Sequence, residues 1–192
     1  MSSKAEALER VRRHIKTQYD MPEIQIDGIQ FADKVARFAE VLQAVGGKAV
    51  ELKSGEDLNE LICAHYPEAK IIASNLPEIT LATINPDEAS NPHQLNNIDL
   101  AVINGEVGVA ENACVWIPQL LKERVVYFIS EYLVVLLDKS ALVHNMHEAY
   151  EQIDFHDKEY GVFISGPSKT ADIEQSLVVG AHGAKGLLVV LI

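Results

Sequence analysis

Cysteine is nearly absent from this sequence of 192 residues, which contains only Cys63 and Cys114. The two lie far apart and outside any CxxC pattern, so they supply neither a disulfide framework nor the ligands of an iron–sulfur cluster. An isolated cysteine usually behaves as a small apolar side chain, and we therefore interpret both as buried, reduced thiols. We expect no cofactor to be held by this chain.

Long apolar runs and an excess of basic residues are also missing. No apolar run approaches the roughly 20 residues that span a bilayer, and residues 1–16 have no apolar core of signal-peptide length, so we expect a cytoplasmic protein without a membrane partner. The 28 acidic residues outnumber 16 basic ones and give a formal charge of −12. A chain so acidic repels phosphate backbones, so nucleic acid is not an expected partner.

The residues that are present suffice for one globular domain, because 48% are hydrophobic and the length suits a single core. We place an N-terminal helical arm at residues 1–27 and an α/β domain at 28–192. In the arm, residues 2–19 have Leu8, Val11 and Ile15 at helical spacing. This narrow apolar stripe can pack on the body or on another subunit, and the second case would make a homo-oligomer.

Helical and strand patterns alternate along the rest of the chain. We predict helices at 31–47, near 55–66 and at about 139–151, and strands at 48–52, 70–74, 99–105 and 132–137. This order predicts an α/β fold with a mostly parallel sheet flanked by helices. Strand-like segments at 106–118 and 124–130 follow too closely for helices between them, so adjacent strands there should be antiparallel or belong to a second small sheet layer, and the sheet should be mixed. Residues 75–97 read as a mobile surface loop.

The segment ISGPSKTADIEQ, residues 164–175, is the best candidate for a binding loop. Residues 161–165 read as a strand, 170–179 as a helix ending at Gly180, and 186–192 as a final strand. If those strands are parallel, the loop from Ser165 to Thr170 feeds a helix N-terminus, where exposed amides favour a small anion.

Four residues of this loop each favour binding of an anion for a different reason. Gly166 lets backbone approach closely, Ser168 and Thr170 offer hydroxyls, and Lys169 offers a positive charge. A purely structural reading stays open, in which Ser168 or Thr170 only caps the helix and the acidic first turn repels an anion. The GxxxxGK[ST] spacing of a nucleotide-binding loop is absent.

Histidines add candidates of lower specificity. His182 and Gly183 follow the predicted helix, so His182 should lie about 15 Å from Ser168 along it and brace a loop or face solvent. His144 and His147 are spaced to share a helix face, but without a CxxC or HExxH pattern we predict no metal site.

The segments VGVAENACVWIP, YLVVLLDKSALVHNMHEAY and ISGPSKTADIEQSLVVGAHGAKGLLVVLI resemble the lactate-utilization (LUD) domain family, in particular its lactate-utilization protein C type. The resemblance begins at about residue 30. It implies a fold similar to that of sugar-phosphate isomerases, glucosamine-phosphate deaminases and coenzyme A transferases, the NagB/RpiA/CoA transferase-like fold. It also implies an accessory role in oxidising L-lactate to pyruvate beside separate iron–sulfur subunits, with a small anionic ligand.

Three departures from the family pattern fall near the candidate residues. The family tends to have Ala-Glu-Thr-Gly-Thr where this chain has Ala110 to Cys114, which keeps Glu111 but loses the Thr-Gly turn. A Pro-x-x-His pattern is replaced by residues 129–132, and a Gly-x-His-Gly-Pro pattern ends here in Ala184. We expect an active site built on the lost groups to be altered or absent in this chain.

Glu111 is the candidate catalytic residue in a second reading of the function. A carboxylate on a strand can act as nucleophile or base and carry an acyl group in coenzyme A transfer. The protein would then be a free-standing enzyme, or a sensor, for a phosphorylated or coenzyme A thioester ligand. The structural alternative is an ordinary hydrogen-bonded surface carboxylate.

Overall fold

The computed structural model describes residues 3–15, 20, 26–154, 160–173, 176–179 and 183–192, with backbone alone at 170–173 and 176–179. Within this part of the chain the helices are α1 Ser3–His14, α2 Lys34–Ala44, α3 Leu58–His65, α4 Val126–Ile129 and α5 Met146–Gln152. The strands are β1 Lys48–Glu51, β2 Ile72–Ala73, β3 Leu100–Asn104, β4 Val107–Val109, β5 Val115–Pro118, β6 Tyr132–Leu137, β7 Leu142–Val143, β8 Gly161–Ile164, β9 Lys169–Ile173, β10 Ser176–Val179 and β11 Gly186–Leu191.

A five-stranded parallel sheet in the order β1-β11-β6-β3-β2 forms the centre of the fold. Its three middle strands are almost continuous runs of aliphatic residues, which suit a strand buried on both faces. Alternate side chains enter two different cores. Leu133, Val135 and Leu137 point to the core that contains α2, whereas Val134 and Leu136 point to the core that contains α3.

A second sheet covers the α2 face of the first. Its order is β7-β4-β5-β8, with β4 antiparallel to β5, β5 antiparallel to β8 and β4 parallel to β7. One face of this sheet packs into the α2 core through Val115 and Ile117, and the other meets α5 through Trp116 and Ala149. The predicted α/β fold with a mostly parallel sheet is therefore confirmed, and the antiparallel pairs expected after residue 104 lie in this second sheet, while the five-stranded sheet is entirely parallel.

Local sequence explains where α2 and α3 begin and end. The Asp33 side chain accepts the Ala36 amide at 2.9 Å, and Asp57 accepts the amides of Asn59 and Glu60. Such caps satisfy the unpaired amides of a first turn. At the end of α2, Gly46 has a φ of +89° and the Gly47 amide reaches the Leu42 carbonyl at 2.8 Å. This is a glycine-terminated Schellman end, as the sequence predicted.

Two predicted elements are wrong. Residues 124–130 were expected to form a strand but contain the short helix α4, which buries Val126 and Tyr127. Residues 170–179 were expected to form a helix, but β9 and β10 pair there as an antiparallel hairpin. The strand before the candidate loop, β8, also lies in the smaller sheet and not beside β11. The ligand crevice of a parallel strand–helix–strand unit is therefore not formed by residues 161–192.

Three smaller expectations also need correction. The helix predicted at 139–151 is divided into a 3₁₀ turn at Lys139–Ala141, strand β7 and helix α5. Cys63 is exposed and Cys114 half-buried, so neither is a fully buried thiol. Segment 75–97 does lack long elements, but it inserts Ile79 and Leu95 into the cores. It is a packed connection and not a simple surface loop.

Among the helices of the described residues, none combines the length and apolar character needed to cross a bilayer.

Candidate functional site

The turn that follows β8 is held tightly against the body of the protein. Gly166 has a φ of +70°, and a Cβ added there would lie 2.7 Å from the Val45 carbonyl oxygen. Both its backbone angle and its close approach to α2 therefore require glycine. Gly166 and Pro167 are buried, whereas Ser165 and Ser168 are half-buried on either side of them.

Ser165 joins this turn to the turn of the β4–β5 hairpin. Its hydroxyl donates to the Asn112 carbonyl at 2.8 Å. The Asn112 side chain accepts the Cys114 amide at 3.1 Å, and Ala113 between them has a φ of +53°. Because β5 and β8 are antiparallel, with Val115 opposite Ile164, the start of one strand meets the end of the other. Two turns that are distant in sequence thus form one local structure.

Cys114 lies beside Ser165 in this structure. Burial raises the pKa of the Cys114 thiol, and its hydrogen bond with the Ser165 side chain opposes that change. A thiol with a raised pKa is protonated near neutral pH and is a poor nucleophile. Cys114 therefore has the properties of a packing residue and not of an activated thiolate.

A cavity of about 240 Å³ lies between the Ser165–Ser168 turn, α4 and the start of β11. We call it the serine-turn cavity; its polar lining includes Ser165, Gly166, Ser168 and Gly183, and Tyr127 and Phe128 form part of its apolar wall. The Ser168 amide donates to the Ala184 carbonyl at 2.8 Å. A Cβ on Gly183 would come within 2.8 Å of the Ser168 Cβ. These contacts define a small, mostly apolar pocket with two hydroxyls.

Four of the seven predicted ligand-binding residues thus line one cavity: Ser165, Gly166, Ser168 and Gly183. Lys169 is exposed and does not contribute to that lining. Thr170 is in β9, but its side chain is not described, and His182 lies outside the described residues. The helix N-terminus that motivated the anion prediction is replaced by a hairpin, and the Ser168 amide is already paired. Any anion here would rely on the Ser168 hydroxyl and the remaining backbone amides, not on a helix dipole, because the Ser165 hydroxyl already donates to Asn112.

Glu111 occupies a different position from the one predicted. It is exposed in the β4–β5 turn and not on a strand. Its carboxylate accepts the Met146 amide at 3.2 Å, and its own amide donates to the His144 carbonyl at 3.0 Å. Glu111 is not among the described lining of the serine-turn cavity. Its geometry fits the cap of α5, and its catalytic role stays a prediction.

His144 and His147 do not converge on a metal-binding group. His144 accepts the Phe31 amide through Nδ1 at 3.0 Å, and the two rings stack with centroids 6.3 Å apart. His147 is exposed on α5. In the described ranges no three His, Cys, Asp or Glu side chains are placed to share a metal ion.

A larger depression borders the serine-turn cavity through Phe128 and Gly183, and sequence reasoning did not predict it. It measures about 660 Å³ and includes Asp99, Glu131 and Lys185, each of which directly precedes a strand of the parallel sheet. Lys185 forms an ion pair with Glu131 at 2.5 Å, which raises the pKa of Lys185. Asp99 accepts the amides of Ile71 and Lys70, both at 2.8 Å, and these hydrogen bonds lower its pKa. The sequence signal that could have predicted this depression is the charged residue directly before each of the three apolar strands.

The three departures from the family pattern meet around the same turn. The Asn112 carbonyl accepts a hydrogen bond from the Ser165 hydroxyl, and the Ala184 carbonyl accepts one from the Ser168 amide. Ser130 and Glu131 line the neighbouring depression, and no described residue hydrogen-bonds to the buried Ser130 hydroxyl. The altered positions are therefore spatial neighbours, although they are far apart along the chain.

The two sheets define an α/β protein that has a small, mostly apolar cavity beside the Ser165–Ser168 turn. A DUF162 family protein from Deinococcus radiodurans has a similar structure, with a TM-score of 0.62 at 12% identity over 85% of this chain and 99% of that chain. This likeness shows the fold alone. It is consistent with the NagB/RpiA/CoA transferase-like fold expected from the sequence.

The LUD domain family model matches residues 35–192, and the chain belongs to the LUD domain family. A lactate utilization protein C from Exiguobacterium sp. (strain ATCC BAA-1283 / AT1b) is 27% identical over 186 residues, which cover 87% of this chain and 81% of that relative. One from Shouchella clausii is 34% identical over 105 residues, covering 52% of this chain and 46% of the relative. The predicted resemblance, including the protein C type, is confirmed.

Proposed function

We propose that this protein acts in lactate utilization and binds a small organic acid in the serine-turn cavity. The observation that carries the proposal is that Ser165, Gly166, Ser168 and Gly183 line one cavity in a chain whose relatives are named lactate utilization protein C. The names of the relatives suggest lactate utilization as the process, and the cavity is the candidate binding site for a ligand of that process.

The size and chemistry of the cavity favour a ligand such as a short hydroxy or keto acid. Its volume of about 240 Å³ is below the range of roughly 300–1,000 Å³ that is usual for drug-sized ligands. The Ser168 hydroxyl can donate to a carboxylate, whereas the Ser165 oxygen, whose proton is donated to the Asn112 carbonyl, can only accept from a ligand hydroxyl group. The Tyr127–Phe128 wall suits a short carbon chain. A phosphorylated sugar or coenzyme A would need more room and more positive charge than the described lining provides.

Replacing Ser168 by alanine should weaken binding of L-lactate or pyruvate by about tenfold. A hydrogen bond to a charged group contributes about 1.5–3 kcal/mol, and each 1.4 kcal/mol is tenfold in affinity. Isothermal titration calorimetry with L-lactate, D-lactate and pyruvate measures this difference. Ser54→Ala, in an exposed turn, is the matched control and should bind as the wild type does. Equal affinity of Ser168→Ala and wild type would remove the cavity from the proposal.

Within lactate utilization, we propose that the protein has an accessory role beside separate iron–sulfur subunits. Clusters of the common types need four cysteine ligands, and this sequence has two, of which Cys63 is exposed and Cys114, just before β5, is half-buried. Electron transfer during lactate oxidation would therefore take place in partner proteins of the cell. The protein would supply ligand binding to that assembly.

Affinity purification from lactate-grown cells should recover cysteine-rich iron–sulfur proteins with this chain. Deletion of its gene should slow growth on lactate and leave growth on glucose unchanged, and the wild-type gene should restore it. Cells grown on glucose are the control for the purification. Normal lactate growth of the deletion strain, with no second LUD gene present, would contradict the role.

A further inference from the structure

Helix α1 has no packing partner within the described residues. All twelve of its residues are exposed, including the apolar stripe of Leu8 and Val11, which continues to Ile15 just past the helix end. The three side chains are 47%, 59% and 58% exposed, respectively. A single helix of about 12–15 residues is only marginally stable in water without packing. Packing of this stripe against another surface would stabilise the helix.

The charge of α1 is opposite to that of the remaining chain. It carries four basic residues, Lys4, Arg10, Arg12 and Arg13, against two acidic ones, so its net charge is +2. Since the whole chain carries −12, the remaining residues carry −14. At 100° per residue, Lys4 lies in line with the apolar stripe and Arg12 lies beside it, whereas Glu6 lies on the opposite side of the helix. An acidic surface with apolar groups would match this face.

Such a surface exists along the edge of the parallel sheet where its strands begin. The depression next to the serine-turn cavity adjoins a second one of about 310 Å³, and the two share Asp99 and Glu131. We call the pair the edge trough. Its charged residues are Asp99, Glu131, Glu68 and Lys185, a net charge of −2 with His65 neutral.

The apolar side chains and the length of the edge trough also match helix α1. Phe128 and Ile129 line the trough and are 40% and 37% exposed. The trough crosses the starts of β11, β6 and β3, about 10 Å at the usual strand spacing, and continues toward the end of α3. A helix of twelve residues is about 18 Å long and about 10 Å wide. About two turns of α1, at 5.4 Å each, can therefore lie across the three strand starts.

We propose that α1 of one copy of this chain docks in the edge trough of a second copy, forming a symmetric dimer. A second copy is the favoured occupant because α1 is exposed along its whole length here while the trough of the same chain stays open. Two-fold exchange covers both apolar stripes and both troughs at once. It also pairs each positively charged arm with a negatively charged trough, which reduces the repulsion between two acidic bodies.

The double variant Leu8→Ser/Val11→Ser tests the stripe directly. Sedimentation velocity and light scattering of the full chain, over a dilution series, should show a wild-type dimer whose dissociation constant rises more than tenfold in the variant. Glu6→Ser, on the opposite side of α1, is the control and should dimerise like the wild type. Ile129→Asp in the trough should weaken the dimer comparably.

A charge exchange identifies the two surfaces as partners. Arg12→Glu and Glu68→Lys should each weaken the dimer several-fold, and the chain that carries both changes should recover most of the loss. A wild-type protein that stays monomeric at every concentration would overturn the proposal, as would stripe variants that dimerise normally. A monomer whose unfolding temperature falls in the stripe variants would place α1 on its own body, which also contradicts exchange.

Discussion

Replacing Phe38 by alanine should lower the free energy of unfolding by about 3–5 kcal/mol, the range for removing a buried aromatic side chain. Phe38 is fully buried in α2 and belongs to the core shared with both sheets. Its ring lies so close to β4 that a Cβ on Gly108 would be 3.6 Å from the Phe38 Cε2 atom. The cavity left behind would separate α2 from the smaller sheet.

Thermal and urea unfolding measure this effect. A chain of this length loses roughly 2–4 °C in Tm for each kcal/mol, so the variant should melt about 6–20 °C lower than the wild type. Glu40→Ala, at an exposed position of the same helix, removes only an ion pair with Arg37 and should change stability by less than about 1 kcal/mol. A Phe38→Ala protein as stable as that control would show that α2 does not hold the two sheets together.

Gly161→Ala should have the second-largest effect, because no space exists for a side chain at the start of β8. A Cβ there would lie 2.1 and 2.2 Å from two ring atoms of Trp116, which is itself buried and packed on Phe163. Overpacking of this kind costs about 1–3 kcal/mol, and occasionally more. Strand β8 leads directly into the Ser165–Ser168 turn, so the clash should also displace the serine-turn cavity.

Trp116 is the single tryptophan of the chain, so its fluorescence reports on this site alone. The emission of Gly161→Ala should shift to the red as the indole gains contact with water, and urea unfolding should begin at lower concentration. Gly55→Ala is a useful comparison, since its Cβ would meet no atom within 4 Å and only its φ of +83° opposes the change. Replacing Trp116 by leucine in the Gly161→Ala background should return part of the lost stability. Unchanged emission and stability in Gly161→Ala would contradict the clash.

Strong local patterns predicted elements correctly where the local and tertiary preferences agreed. The apolar face of 31–47 and its glycine stop define α2, and the aliphatic run at 132–137 defines β6. Aspartates at positions 33 and 57 cap the helices that follow them. Each of these signals is contained within one helix or strand, so the sequence displays it directly.

The wrong elements are those in which a local pattern fits two structures. Segment 124–130 is rich in β-branched and aromatic residues, which favours a strand, yet α4 forms there. The Tyr127 hydroxyl donates to the Pro118 carbonyl at 3.1 Å, a contact that ties the helix to the end of β5. Likewise, residues 170–179 satisfy helical spacing at Ile173 and Leu177, but the pairing of β9 with β10 prevails. Neither partner can be read from the segment itself.

The sequence by itself determined the doubly buried parallel sheet, its α2 and α3 layers and the LUD resemblance, because aliphatic runs, caps and motifs are local properties. Only the tertiary structure decided that the Ser165–Ser168 turn meets Asn112 and Gly183, that Glu111 caps α5 away from the cavity, and that Asp99, Glu131 and Lys185 share one edge. Those relations depend on the antiparallel pairing of β5 with β8 and on the strand order of the large sheet. Contacts between segments so distant in the chain leave no periodic signal in either of them.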